Sequence, residues 1–373
     1  MQPSKPQSRA GSTTRLLQFC LGYFLSYVVF GTATKYFQGS AEKGFPGMSS
    51  PEWLVYSTMG SSCFALLVCI GLRWVRMRST RSLQWGPLRI PVEYAAIIPS
   101  GICTAIVIPT TTLLYSLPIS VMVAMVIMRG SIIACSRLVD AIQIRQGILQ
   151  RRVVAEENWG VVFALLAVCV TIFWTPEVTR ALRGQPAEIA PVKAGSYAFL
   201  RSPVAVTILG TYIAAYTLRL YIMNWFKNTR PAGEALDYRG YFAVEQMTAF
   251  SVIVLVTTII LVSPGAATVP TLAQFRSAFF QPHPQWRLGS LIGLSFGIVA
   301  IFSVFLFLFQ GRTATFAGLV NRLTSLVAGT AATLLFALIW RGSQPKMEDW
   351  IALGFIFIAV AFLARAEKKR ATS

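Results

Sequence analysis

The sequence predicts an all-α membrane protein: ten transmembrane helices arranged as two inverted five-helix repeats. Three observations predict it. Hydrophobic residues make up 55% of the 373-residue chain and charged residues only 13%, half the charged share of a soluble domain, and mean hydropathy is +0.60. Ten apolar runs approach the length of about 20 residues that a hydrocarbon core requires. Two of those runs carry an arginine near the middle, Arg129 and Arg322.

Residues 1–14 are polar and rich in Ser, Arg and Pro, and read as a disordered cytosolic tail. Residues 15–175 form the first five-helix repeat. Span 1 covers about Leu16–Tyr36; its apolar length and the lack of a small-residue cleavage site favour an uncleaved helix over a signal peptide. Span 2 covers about Trp53–Leu72, and a basic loop with Arg73, Arg76, Arg78, Arg81 and Arg89 follows. Span 3, about Val92–Tyr115, contains Pro99 and Pro109, which free carbonyls and kink a membrane helix. A short link at Leu117-Pro118 leads to span 4, about Ile119–Leu138. Span 5 is about Trp159–Trp174.

Residues 176–200 are a long polar connecting loop. Residues 201–366 form the second repeat: span 6 about Val204–Phe226, span 7 about Tyr241–Val262, span 8 about Leu288–Phe309, span 9 about Thr315–Trp340 and span 10 about Trp350–Ala364. Residues 264–286 read as a Pro-rich loop. Gly289, Gly293 and Gly297 in span 8 have the four-residue spacing that admits a neighbouring helix closely. Residues 367–373 are a basic cytosolic tail.

Twenty of the 33 Lys and Arg lie in the tails and the even-to-odd loops on their side, against ten on the other side. The positive-inside rule then puts both termini in the cytosol. The net charge of +19 reads as topology and attraction to anionic headgroups. No basic cluster accompanies a soluble domain, so nucleic acid is not an expected partner. The six cysteines all fall in apolar runs without CxxC spacing and read as packers. His283 stands alone, so no metal site and no cofactor is expected. Paired catalytic carboxylates, HExxH and Gly-x-Ser-x-Gly are missing, which argues against an enzyme.

The halves correspond. Arg129 precedes Trp159 by 30 residues, and Arg322 precedes Trp350 by 28. Each arginine is on the fourth span of its half, after a short link. Five spans per half is odd, so the halves insert in opposite senses, the plan of many secondary transporters with a midplane site.

A charge in hydrocarbon costs about 2.5–3.5 kcal/mol on insertion scales, so Arg129 and Arg322 call for a partner or a use. Each either binds a phosphate or carboxylate through its guanidinium fork or holds helices together by a buried pair, for Arg129 with Glu245. Asn321 adds a hydrogen-bonding amide. Lys35 either faces a cavity or snorkels to the interface. Arg219 and Glu245 read as an ion pair or a coupling site. Tyr23, Tyr27, Tyr115, Tyr212, Tyr216 and Tyr241 either line a cavity, stacking on bases and bonding sugars, or belong to the aromatic belts.

Two stretches resemble the drug/metabolite transporter superfamily, its nucleotide-sugar and triose-phosphate (EamA-like) branch. Leu114-Tyr115-Ser116-Leu117-Pro118-Ile119-Ser120, with Met128-Arg129-Gly130-Ser131 after it, is similar to an L-x-Y-x-P-x-S … R-G run. Gly318-Leu319-Val320-Asn321-Arg322 is similar to a GALNK motif, with Arg for Lys. A companion FYNN-type motif is not found. The resemblance implies alternating-access exchange of an anionic organic solute, a nucleotide sugar or sugar phosphate. The alternative is an exporter of neutral or cationic small metabolites on the same fold. Membrane lipids and a second copy of the chain (a homodimer) are the expected partners. The plan fits a Golgi or endoplasmic reticulum membrane, or a bacterial inner membrane.

Overall fold

A computed structural model describes residues 12–77, 82–116, 121–150, 154–173, 203–230, 236–341 and 347–372. The tail before residue 12, the 117–118 link and the 176–200 connection lie outside the described residues. Among the described residues eleven α-helices follow one another: α1 (Thr13–Phe37), α2 (Ser50–Gly71), α3 (Val92–Ser116), α4 (Val121–Arg145), α5 (Ala155–Phe173), α6 (Pro203–Asn228), α7 (Tyr238–Val262), α8 (Pro270–Phe280), α9 (Trp286–Phe307), α10 (Ala314–Trp340) and α11 (Met347–Thr372). Eight of them, α1, α2, α3, α6, α7, α9, α10 and α11, are long and apolar enough to cross a membrane. The chain is a multi-pass, helical membrane protein.

Local sequence sets the helix ends. Ser49 caps α2 in a capping box: the Glu52 amide donates to Ser49 Oγ (3.4 Å), and the Ser49 amide donates to Glu52 Oε2 (2.8 Å). Asp237 caps α7 and Thr313 caps α10. Proline in α3 does not end it. The Thr110 and Thr111 hydroxyls bond the carbonyls of Ile106 and Val107, both at 2.7 Å, and so bury their own polar groups against the helix just past Pro109.

Two elements depart from the sequence expectation. The 264–286 stretch is not all loop: α8 forms in it, with Pro270 in the first turn. Proline suits that position because its missing N–H has no helical partner there. The basic loop before α3 contains a hairpin, β1 (Ser82–Trp85) antiparallel to β2 (Leu88–Pro91), turning at Gly86 with φ 63°.

Packing is pairwise. The most extensive helix pairs are α2 with α9, α5 with α11, α3 with α6 and α7, and α1 with α9 and α10; α4 lies against α5, α6 and α10. The α2–α9 crossing is close, backbone against backbone. A methyl group at Gly60 would sit 1.8 Å from the Ser290 carbonyl oxygen, and one at Gly293 2.4 Å from that of Ser57. The glycine spacing read from span 8 therefore faces α2. Across α3–α7, a methyl at Gly101 would sit 2.6 Å from Thr248 Cβ. Leu17, Leu21, Leu25 and Val29 repeat every fourth residue of α1 and are all at least half exposed, as a hydrocarbon-facing stripe must be.

Candidate functional site

The site grows from four helices. α1 and α6 each carry a tyrosine pair one turn apart, Tyr23/Tyr27 and Tyr212/Tyr216. The ring centroids are 5.6 and 5.8 Å apart within the pairs. α4 and α10 each carry one arginine. The Arg322 guanidinium lies over the Tyr216 ring, 4.8 Å from its centroid. Tyr212, Tyr23 and Tyr27 also lie within electrostatic reach of Arg322. Tyr23 is reached by both Arg322 and Arg129. Tyr23, Tyr212 and Tyr216 are buried, so these rings are not belt residues.

The two arginines are staggered. A methyl at Gly329 of α10 would lie 3.9 Å from Arg129 Nη2. Gly329 is seven residues beyond Arg322, about 10 Å along the helix at 1.5 Å per residue. Among the described residues neither arginine has a carboxylate partner. The Arg322 Nε is buried without a hydrogen-bond acceptor. A buried donor left unpaired costs about 1–3 kcal/mol, more when charged, and such a group asks for an explanation.

Glu245 is not the partner of Arg129. Its carboxylate is fully buried and accepts from Arg219 Nε at 2.8 Å and Arg219 Nη2 at 3.0 Å. Ser100 Oγ donates to it at 2.7 Å and Thr104 Oγ1 at 3.2 Å. Arg219 lies one turn below Tyr216, 5.9 Å from that ring's centroid. The Tyr216 ring thus stands between a paired guanidinium and an unpaired one.

Other expected residues fall elsewhere. The Asn321 amide donates to Ser303 Oγ of α9 at 3.1 Å. Lys35 is in the last turn of α1 with Asp349 in electrostatic reach. The Tyr241 hydroxyl donates to Ser100 Oγ at 2.8 Å and so supports the Glu245 shell. Tyr115 is on α3, and its side chain lies outside the described residues.

Asp140 was missed by sequence reasoning. Fully buried on α4, it accepts from the amides of Ala314 (2.8 Å) and Thr315 (2.6 Å) at the first turn of α10. Asn224 of α6 donates to it at 3.3 Å and to Gln143 Oε1 at 2.7 Å. Thr313 donates to Glu157 of α5 at 2.9 Å, Lys227 donates to the Phe307 carbonyl at 3.1 Å, and Arg312 pairs with Glu367 of α11. A polar knot thereby ties α4, α5, α6, α9, α10 and α11 at one end of the bundle. The signal available in sequence was an acid two residues past the assigned end of span 4.

No family model matches the chain, and no curated protein matches it. A solved structure described only as "Crystal structure of protein" is similar, with a TM-score of 0.52 and 13% identity over 97% of this chain and 100% of that one. At that identity the likeness speaks for the fold alone.

Proposed function

We propose that the protein is a secondary carrier of the drug/metabolite transporter type, ten spans in two inverted repeats, exchanging an anionic organic solute. The observation that carries this reading is the pair of carboxylate-free arginines, one per half, facing a set of four tyrosines. Guanidinium forks match phosphate oxygens, and tyrosine rings offer stacking faces and hydroxyls to a base or sugar. A nucleotide sugar or sugar phosphate has both kinds of group.

Several correspondences support the repeat. Arg129 and Arg322, Trp159 and Trp350, Gly101 and Gly293, and Ser57 and Thr248 are each 191–193 positions apart. The contact of Gly293 with Ser57 is matched by that of Gly101 with Thr248. The tyrosine pairs correspond at 189 positions. Exchanging α1–α5 for α6, α7, α9, α10 and α11 turns the α2–α9 pairing into α7–α3, α1–α9 into α6–α3, and α1–α10 into α6–α4, all of which occur. On this plan α4 and α5 are the fourth and fifth spans, which bring the eight apolar helices to ten, and the polar knot closes the cytosolic end.

Proteoliposomes test the reading. The protein should exchange labelled nucleotide sugar or sugar phosphate, and Arg129→Ala and Arg322→Ala should each abolish exchange. Undiminished exchange by the double alanine variant would refute it. Uptake of neutral or cationic metabolites that ignores both substitutions would favour the exporter alternative.

A further inference from the structure

The α8 helix has three sides of different character. At 3.6 residues per turn, successive side chains are about 100° apart. Thr271, Phe275 and Ala278 then fall on one side, Gln274 and Ser277 on a second, and Leu272, Phe279 and Phe280 on a third. The first side is packed. Ala278 is buried, Phe275 lies against the cluster of Phe37, Trp53 and Tyr56, and Tyr56 of α2 donates to the Ala278 carbonyl at 3.1 Å. The third side is open and aromatic: Phe279 is 40% exposed and Phe280 66%.

Level and continuity choose what covers it. Arg276 Nη1 donates to the carbonyl of Ser263, the C-cap of α7, at 2.6 Å. That bond holds α8 at the height where α7 ends. The α7 helix reaches this height with an apolar stripe, Leu255, Ile259 and Val262, each more than half exposed. The α9 helix leaves it with Leu288 and Leu291, also more than half exposed. Both helices are long and apolar enough to cross a membrane, so these stripes face hydrocarbon. The α8 helix thus lies at the rim of a lipid-facing surface. It lies at the end of the bundle away from the chain termini. Thr13, at the start of α1, bonds Glu367 near the end of α11 at 3.1 Å, whereas Phe37, at the far end of α1, stacks on Trp53 of α2 in the cluster that holds Phe275. Arg276 is the one charged residue of α8, and it is engaged by the Ser263 carbonyl. The open side therefore offers apolar contact, not a headgroup charge.

We propose that α8 is an in-plane anchor. Its Leu272, Phe279 and Phe280 side enters the leaflet remote from the chain termini, about 5–10 Å into the boundary of headgroups and acyl chains. The Gln274 and Ser277 side faces water. The partner is the upper acyl region of a glycerophospholipid, whatever its headgroup charge. Through Tyr56 the anchor sets the height of α2 in the bilayer, and it does so whether or not the chamber carries a solute.

Photocrosslinking of the full-length protein in vesicles of equimolar phosphatidylcholine and phosphatidylglycerol is the test. p-Benzoylphenylalanine is placed singly at Phe280, Gln274 or Ile259, all exposed, so the packed side stays intact. Adducts are read by intact mass. Ile259, on the α7 stripe, sets the yield of a lipid-facing position. Phe280→p-benzoylphenylalanine should gain the mass of one lipid in that same yield, with the two lipids captured equally, and the Gln274 variant should gain none. A Phe280 yield no higher than that at Gln274 would overturn the anchor. A protein–protein adduct at Phe280 in place of the lipid would overturn it in favour of a second copy. Capture of phosphatidylglycerol alone would overturn the apolar contact in favour of a headgroup site.

Discussion

Removing the Glu245 carboxylate leaves a guanidinium buried without its counter-charge. Glu245→Ala deletes the acceptor of two Arg219 bonds at 2.8 and 3.0 Å and of the hydroxyl bonds from Ser100 and Thr104. Breaking a buried pair from one side costs about 3–5 kcal/mol. The hydroxyls soften little of this, because only Thr104 has a second acceptor, the Ser100 carbonyl at 3.1 Å. Arg219→Met costs less, since the stranded carboxylate keeps its two hydroxyl donors and can take up a proton. Arg219→Met with Glu245→Leu removes both charges and refills the volume, so it should be no worse than about 1 kcal/mol from wild type, and such replacements are often stabilising. The assay is reversible unfolding in mixed micelles, monitored by tryptophan fluorescence, on all four proteins of the cycle. The expected coupling energy is at least about 2 kcal/mol. Single effects that simply add would refute the idea that these two groups are held for each other.

Three further outcomes are expected. Gly293→Ala and Gly101→Ala, whose new methyls would meet α2 and α7 at 2.4 and 2.6 Å, should each destabilise by about 1–3 kcal/mol through overpacking, measured by the same unfolding assay, whereas Gly71→Ala, with open space around it, should not. Asp140→Ala should cost about 2 kcal/mol or more, the upper range for a lost helix cap, because the amides of Ala314 and Thr315 are buried with it; hydrogen exchange should quicken at the first turn of α10. Tyr216→Phe should keep the ring beneath Arg322 and change the KM of the proposed exchange little, while Tyr216→Ala should raise it about two- to thirtyfold, for a ring–cation contact of about 0.5–2 kcal/mol.

The residues that were readable in sequence are those whose cost is local. Arg129, amid the Val, Met and Ile of the run that begins at Val121, stands out because nothing nearby in the chain can offset its desolvation. The glycines of span 8 stand out because their spacing matches one helical face. Asp140 did not stand out, since it follows the apolar run and looks like a surface acid. Its meaning is set 174 positions away, where the first turn of α10 presents its amides. For Glu245 the sequence offered two partners, Arg129 and Arg219, and could not choose between them, because both are one residue type within a span; the structure pairs it with Arg219. The α8 helix was hidden by Pro270, which reads as a breaker until its place in the first turn is known.

The seam at Gly60 and Gly293 has a mechanical consequence. With a carbonyl oxygen where a methyl group would have to go, α2 and α9 can neither roll nor slide past each other, and Gly101 locks α3 to α7 in the same way. Two stiff struts result, and each joins a helix from the early part of the chain to one from the late part. Any rigid-body movement of these struts therefore carries early and late parts of the polypeptide together: each is spliced from both.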